Sequence, residues 1–221
     1  RVWHPTLKAL GLPPRERLEA LAADIEAEHD NDVLVHPADV TDADAVSELV
    51  DDTVASLGTL DVVVNNAGLG RDETTIEELG LDAYHQMMSV NCDGMFYVAR
   101  AAMPHLKASA GNLIFLGSMS GQYPRPASPV YAATKWWTRG LALSVQASVG
   151  TASVGVTSVN PTEVLTEFGS EDGEALADQL DPDAAATAQD VAEAIAFAAE
   201  QENPNVVQEL DFYRRDKFKN W

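Results

Sequence analysis

Short runs of β-branched residues alternate with amphipathic stretches along this chain. Leu18, Leu21, Ala22 and Ile25 share one face of a helical repeat and predict a helix from Arg15 to Glu28. Val33 to Val35 reads as a short strand. Asp42 to Leu57 reads as a helix opened by Thr41 as its N-cap. Asp61 to Val64, with three consecutive valines, predicts a strand buried on both faces. A long helical pattern runs from Leu81 to Lys107, and Pro104 is expected to kink or shorten it. Leu113 to Leu116 predicts a strand and Pro129 to Val149 a helix. Val154 to Val159 predicts a strand, Ala188 to Gln201 a helix, and Val206 to Leu210 a last strand.

Strands separated by helices imply right-handed crossovers. The expected fold is α/β: a doubly wound, Rossmann-like parallel sheet in a single domain over residues 1–221. Ligands in such sheets bind outside the carboxyl ends of the strands. Four predicted strands end there in polar segments: Ala38-Asp39-Val40, Asn65-Asn66-Ala67-Gly68, Gly117-Ser118-Met119-Ser120-Gly121 and Asn160-Pro161-Thr162. Together they outline one crevice.

Charge changes the picture. The 221 residues carry 35 Asp and Glu against 14 Lys and Arg, a net −21. Phosphates would be repelled, so nucleic acid is excluded as a partner. The acid is spread over 24–32, 39–52, 72–78 and 167–183 rather than gathered in a tail. That pattern predicts a solvated, salt-adapted surface whose self-repulsion is relieved by screening. No apolar run reaches the roughly 18 residues of a membrane span, and Arg1 to Leu12 lacks the apolar stretch of a signal peptide. A cytoplasmic protein is expected. One cysteine, Cys92, allows no intramolecular disulfide, and the five histidines are scattered without metal-site spacing. No metal is expected.

The sharpest chemical feature is Tyr131-Ala132-Ala133-Thr134-Lys135. Ser128 followed by Pro129 is a helix start, which puts Tyr131 in the first turn and Lys135 one turn later on the same face. A free phenol titrates near pH ~10 and is a poor proton donor-acceptor at neutrality. A neighbouring ammonium and a helix N-terminus both favour the phenolate. A fall of ~2–3 pH units would take roughly 3–4 kcal/mol of differential interaction. The spacing therefore makes Tyr131 a candidate general acid/base. Ser118, after the third predicted strand, can hold a substrate oxygen beside it. Turn hydroxyls also commonly bond their own backbone.

With Asp39-Val40, Asn65-Asn66-Ala67-Gly68, Asn91, Ser118, Tyr131, Lys135 and Asn160-Pro161 in this order and spacing, the chain resembles the short-chain dehydrogenase/reductase family. The resemblance runs from about Arg15 to Leu210. It implies transfer of a hydride between a nicotinamide cofactor, NAD or NADP, and a carbonyl or secondary alcohol. Tyr131 would exchange the proton of the substrate oxygen. Lys135 would lower its pKa and bond the nicotinamide ribose. Ser118 would orient the substrate, and Asn91 would anchor a water relaying protons to Lys135. Asp39 and Val40 would contact adenine, and Asn66, Ala67 and Gly68 would line the cofactor path. Pro161, Val164 and Thr166 would face the carboxamide. Thr162 stands where the family usually has Gly. Gln122, Tyr123 and Phe168 are placed along the substrate pocket by fold alone. The family also implies a homo-oligomer, dimer or tetramer. Trp136 and Trp137 then fill an interface, wall the pocket or join the core.

One family feature is missing. No G-x-x-x-G-x-G or G-x-G-x-x-G pattern precedes Asn65, where a glycine-rich turn would cradle the pyrophosphate. Arg1 to Pro14 does not read as a strand-turn-helix unit, so the first βαβ unit is expected to be missing or incomplete. Residues left out of the numbering, a fragment or mis-started frame, and a cofactor-free member all fit this, and the opening Arg1 favours the first two. Arg15 and Arg17 would face a 2′-phosphate or simply be solvated. Two functions remain: an oxidoreductase, or a catalytically inactive binding or oligomerising scaffold. A sugar-nucleotide epimerase is disfavoured for want of a second domain.

Overall fold

The computed structural model describes residues 15–29, 31–70, 75–168, 181 and 185–219. The segment 1–14 lies outside them, as does most of the acidic stretch after Phe168. Among the described residues, two helices, α1 (Arg15–His29) and α2 (Ala43–Leu57), precede the first strand, β1 (Val62–Asn65). There follow α3 (Leu81–Met88), a π-helical turn (Ser89–Gly94) and α4 (Met95–Ser109). Next come β2 (Asn112–Leu116), α5 (Pro129–Val149) and β3 (Gly155–Pro161). The chain closes with β4 (Val164–Leu165), β5 (Ala186–Thr187), α6 (Ala188–Ala199) and β6 (Glu209–Phe212).

The four long strands form one parallel sheet in the order β1-β2-β3-β6. Alternation of side chains across β2 explains the layering. Leu113 and Phe115 enter a core with residues of α2, α4 and α5, such as Val46, Val98 and Ala142. Ile114 enters a second core with Val159 and Ala198, the latter on α6. Helices therefore cover both faces, and β2 is buried on each side. The register pairs Asn65 with Phe115, Leu116 with Val159 and Pro161 with Phe212. Segments 66–70, 117–121 and 162–166 thus leave the sheet along the same carboxyl edge. Among the described residues, no helix is long and apolar enough to cross a membrane.

Several local expectations need correction. Val33–Val35 forms no strand, because a strand exists by its ladder and no described strand offers one there. The cap of α2 is Asp42, not Thr41: the Asp42 carboxylate accepts from Asp44 N and Ala45 N, at 2.9 and 3.2 Å. Thr41 donates its hydroxyl to Asp39 instead. The long helix is interrupted at 89–94 by the π turn, and α4 runs through Pro104. Ser128 precedes α5 with Pro129 at its first position but makes no side-chain cap bond. The last strand sits later than its valines suggest, because the ladder to β3 starts where Ser158 N meets Gln208 O. On α1 only Ala22 is buried, and Leu21 is 45% exposed.

Candidate active site

Two loops and one helix converge on Tyr131. The 3₁₀ turn Met119–Gly121 follows Ser118, whose hydroxyl accepts from Ser120 N at 3.1 Å. This turn lies against α5 so closely that a Cβ on Gly121 would stand 2.6 Å from the Lys135 carbonyl oxygen. Only glycine permits that approach, and it brings Ser118 to hydrogen-bond Tyr131. Ser118 is thus a turn hydroxyl bonded to its own backbone, and it stands beside the phenol. Phe168 closes the other side, its ring centroid 6.0 Å from that of Tyr131. A Cβ on Gly70 would meet Phe168 at 3.0 Å.

Asn91 sits in the π turn, fully buried. Its side-chain oxygen accepts from Leu69 N and its amide donates to Leu69 O, both at 2.8 Å. The amide also donates to Thr134 Oγ1 at 3.0 Å, and that hydroxyl donates to Tyr131 O at 2.7 Å. Asn91 therefore clamps the 66–70 loop onto α5, and its side chain is committed there. Gly68 lies between it and Lys135: a Cβ on Gly68 would be 3.5 Å from both Asn91 Oδ1 and Lys135 Nζ.

The electrostatics differ from those expected of an ammonium beside a phenol. Burial pushes the Tyr131 phenol up; the Ser118 hydrogen bond and the charge of Arg125 oppose this without overcoming it. The Lys135 ammonium is 5.9 Å from the Tyr131 ring centroid and donates to Leu116 O at 3.0 Å. The same burial drives Lys135 down to about 8. As arranged, the site holds a neutral phenol and a cation that is easily deprotonated. The Cys92 thiol, pushed up to about 11 chiefly by burial, is no nucleophile.

Lys135 makes stability depend on pH in a calculable direction. Below about 8 both folded and unfolded chains carry its proton, and the folded state bears the cost of burying the charge. Between about 8 and the ordinary lysine value the unfolded chain binds more protons, so stability rises with pH. A shift of this size corresponds to about 3 kcal/mol. Lys135→Met should lack that rise when urea midpoints are compared at neutral and alkaline pH; parallel curves for the two proteins would refute the burial argument.

The remaining candidates fall into two groups. Asn66 is exposed, Ala67 buried and Gly68 half-buried on the carboxyl edge beyond β1. Pro161 is buried, and Val164 and Thr166 are half-buried beyond β3. Thr162 Oγ1 in the same turn is buried with no hydrogen-bond partner among the described residues. By contrast, Asp39 spends its carboxylate on Thr41, and Val40 is wholly enclosed, packed where a Cβ on Gly94 would meet it at 2.9 Å. Arg17 makes a bidentate pair with Glu167 at 2.9 and 3.0 Å, and Arg15 pairs with Glu19. Trp136 and Trp137 are 46% and 38% exposed, which removes them from the core.

Sequence reasoning missed Thr134, although its spacing within the Tyr131–Lys135 turn marks it. It also missed Asp211, which accepts from Gln122 Nε2 at 2.7 Å and Asn160 Nδ2 at 3.0 Å. Nothing local to residue 211 signals this.

A dinucleotide is testable against these groups. The turn beyond β3 fits its nicotinamide end: an unpaired buried hydroxyl suits a carboxamide, and Lys135 Nζ keeps donors beyond its bond to Leu116. No glycine-rich turn among the described residues supplies a phosphate cradle.

The short chain dehydrogenase family model matches residues 10–177. A Mycolicibacterium smegmatis protein named for the short-chain type dehydrogenase/reductases is 34% identical over 143 residues, 64% of this chain and 51% of its own. The chain thus spans about half the length of that relative. An uncharacterized oxidoreductase of Staphylococcus aureus is 31% identical over 197 residues, 89% of this chain and 81% of the relative. Among solved structures, an alcohol dehydrogenase from the archaeon Thermococcus sibiricus, complexed with 5-hydroxy-NADP, superposes with a TM-score of 0.81. It shares 28% identity, over 90% of this chain and 82% of that one.

Proposed function

Because the chain belongs to the short-chain dehydrogenase/reductase family, we propose that it is an NAD(P)-dependent oxidoreductase acting on a ketone or secondary alcohol, with Tyr131 as general acid/base. The observation that carries this is the Ser118–Tyr131–Lys135 convergence across the Gly121 contact. The T. sibiricus enzyme's dinucleotide complex supports the cofactor class.

In ketone reduction the neutral Tyr131 hydroxyl donates its proton to the substrate oxygen, which Ser118 holds beside it. The hydride arriving at the carbonyl carbon is what a bound nicotinamide supplies. Burial suits this direction, since it keeps the phenol protonated until needed. In oxidation Tyr131 takes the proton back, and the Lys135 charge stabilises the phenolate then formed. Lys135 Nζ, Pro161, Thr162, Val164 and Thr166 hold the nicotinamide end, and residues 66–68 line the path toward it. Loss of the Lys135 cation near pH 8 reprotonates nothing by itself; it removes that stabilisation.

The competing reading is a scaffold that binds no dinucleotide. Thermal unfolding with NAD or NADP in molar KCl separates the two. A dinucleotide at 100 times its Kd should add about 2.7 kcal/mol, a rise of roughly 5–10 °C for a chain this size. No shift with either dinucleotide would favour the scaffold. The exposed Phe96, Trp136 and Trp137 on α4 and α5 support a homo-oligomer in either case.

A further inference from the structure

The C-terminal tail joins two walls of the crevice that are distant in sequence. One wall is 118–123 beyond β2, and the other is the 161–166 turn beyond β3. Thr162 N donates to Phe212 O at 3.1 Å, where β6 ends. The next residue, Tyr213, donates its hydroxyl to Gln122 Oε1. Phe218 packs against Tyr123 and Tyr213, with centroids 5.3 and 5.7 Å apart. Between these contacts, Lys217 Nζ donates to Glu163 Oε1.

Lysine is seldom buried unless paired. The Lys217 side chain is only 10% exposed, and that of Glu163 25%. The Lys217 hydrogen bond and the charges of Lys217 and Arg214 hold the Glu163 carboxyl below its usual range against the effect of burial. Glu163 lies between Thr162 and Val164, in the turn that fits the nicotinamide. An ion pair with so little solvent around it is less screened than a surface pair, and it fixes backbone on both sides.

We propose that residues 213–218 form a strap that sets the shape of the 161–166 turn, with Lys217, acting through Glu163, as the positioning residue for the nicotinamide end of the dinucleotide. This rests on the oxidoreductase reading above. The strap's contacts fall on Gln122, Tyr123 and Glu163, so its loss should be felt at one end of the ligand only.

The test is a fluorescence titration with NADH and NADPH in molar KCl, with ADP-ribose and its 2′-phosphate as probes lacking nicotinamide. Lys217→Met should weaken dinucleotide binding by about tenfold and leave the ADP-ribose probes unchanged. Lys217→Arg should restore both the affinity and the fluorescence enhancement of the bound nicotinamide. Glu163→Gln keeps the side-chain shape without the charge and should show the same selective loss; it stands in if Lys217→Met does not fold. Wild-type-like dinucleotide binding in both variants overturns the strap while the oxidoreductase reading stands. Equal weakening of dinucleotide and ADP-ribose also overturns the strap, since it marks a general structural role. A wild-type protein that binds neither dinucleotide overturns that reading and the strap with it.

Discussion

Tyr131→Phe should lower turnover by roughly 10²–10⁴-fold, the usual contribution of a positioned proton donor, while the protein still folds. The ring carries the packing, against Phe168 and the Val130–Leu141 side of the core, and Phe keeps that ring. What is lost is one hydroxyl, hydrogen-bonded to Ser118 and held neutral by burial. Removing a hydrogen-bonded hydroxyl from one partner costs on the order of 1 kcal/mol, so the thermal midpoint should move by only a few degrees. The assay follows nicotinamide absorbance with a panel of ketones and secondary alcohols in molar KCl. Dinucleotide affinity should be preserved, since Lys135 and the 161–166 turn are untouched. Near-normal turnover by the variant would refute Tyr131 as the proton donor.

Much of this site was legible before the fold was seen, for a physical reason. Tyr131 and Lys135 are four apart on one helix, and helical geometry alone puts them on a common face. Strand ends in a parallel sheet share an edge, so segments 66–68, 117–121 and 160–162 were bound to meet. Other features rest on pairs that sequence spacing does not encode. The Gly121–Lys135 contact joins residues through backbone approach, not side-chain pattern. Asp211 reaches Gln122 and Asn160 across 89 and 51 residues. The balance of charge and burial at Tyr131 and Lys135 was hidden for a related reason. Charge proximity is readable from a helix, but burial is a property of the whole core, and here it outweighs the charges on both groups. Val33–Val35 shows the same limit: its β-branched residues mark strand propensity, yet a ladder needs a neighbour.

Asn91→Ala should be the most destabilising single substitution among the site residues, because Asn91 joins three elements through one side chain. Its loss strands the amide N–H and carbonyl of Leu69, itself buried, and takes a donor from Thr134 Oγ1. Each buried polar group left unpaired costs about 1–3 kcal/mol. Thr134 suffers least, since its own hydroxyl still donates to Tyr131 O. Two stranded backbone groups and a small cavity together predict a loss of about 4 kcal/mol, read as a lower urea midpoint at unchanged slope. The effect extends to function. With Leu69 released, Gly68 and Gly70 lose their fixed distance from Lys135 and Phe168, and the crevice wall loosens beside Tyr131. Asn91→Asp separates the two roles of the amide. Its carboxylate still accepts from Leu69 N but cannot donate to Leu69 O, and its charge lies across Gly68 from Lys135. That charge should raise the Lys135 pKa from about 8 toward the ordinary lysine value, so the alkaline rise in stability should shrink. If Asn91→Ala unfolds at the wild-type urea midpoint, the clamp between the 66–70 loop and α5 is not what holds this site together.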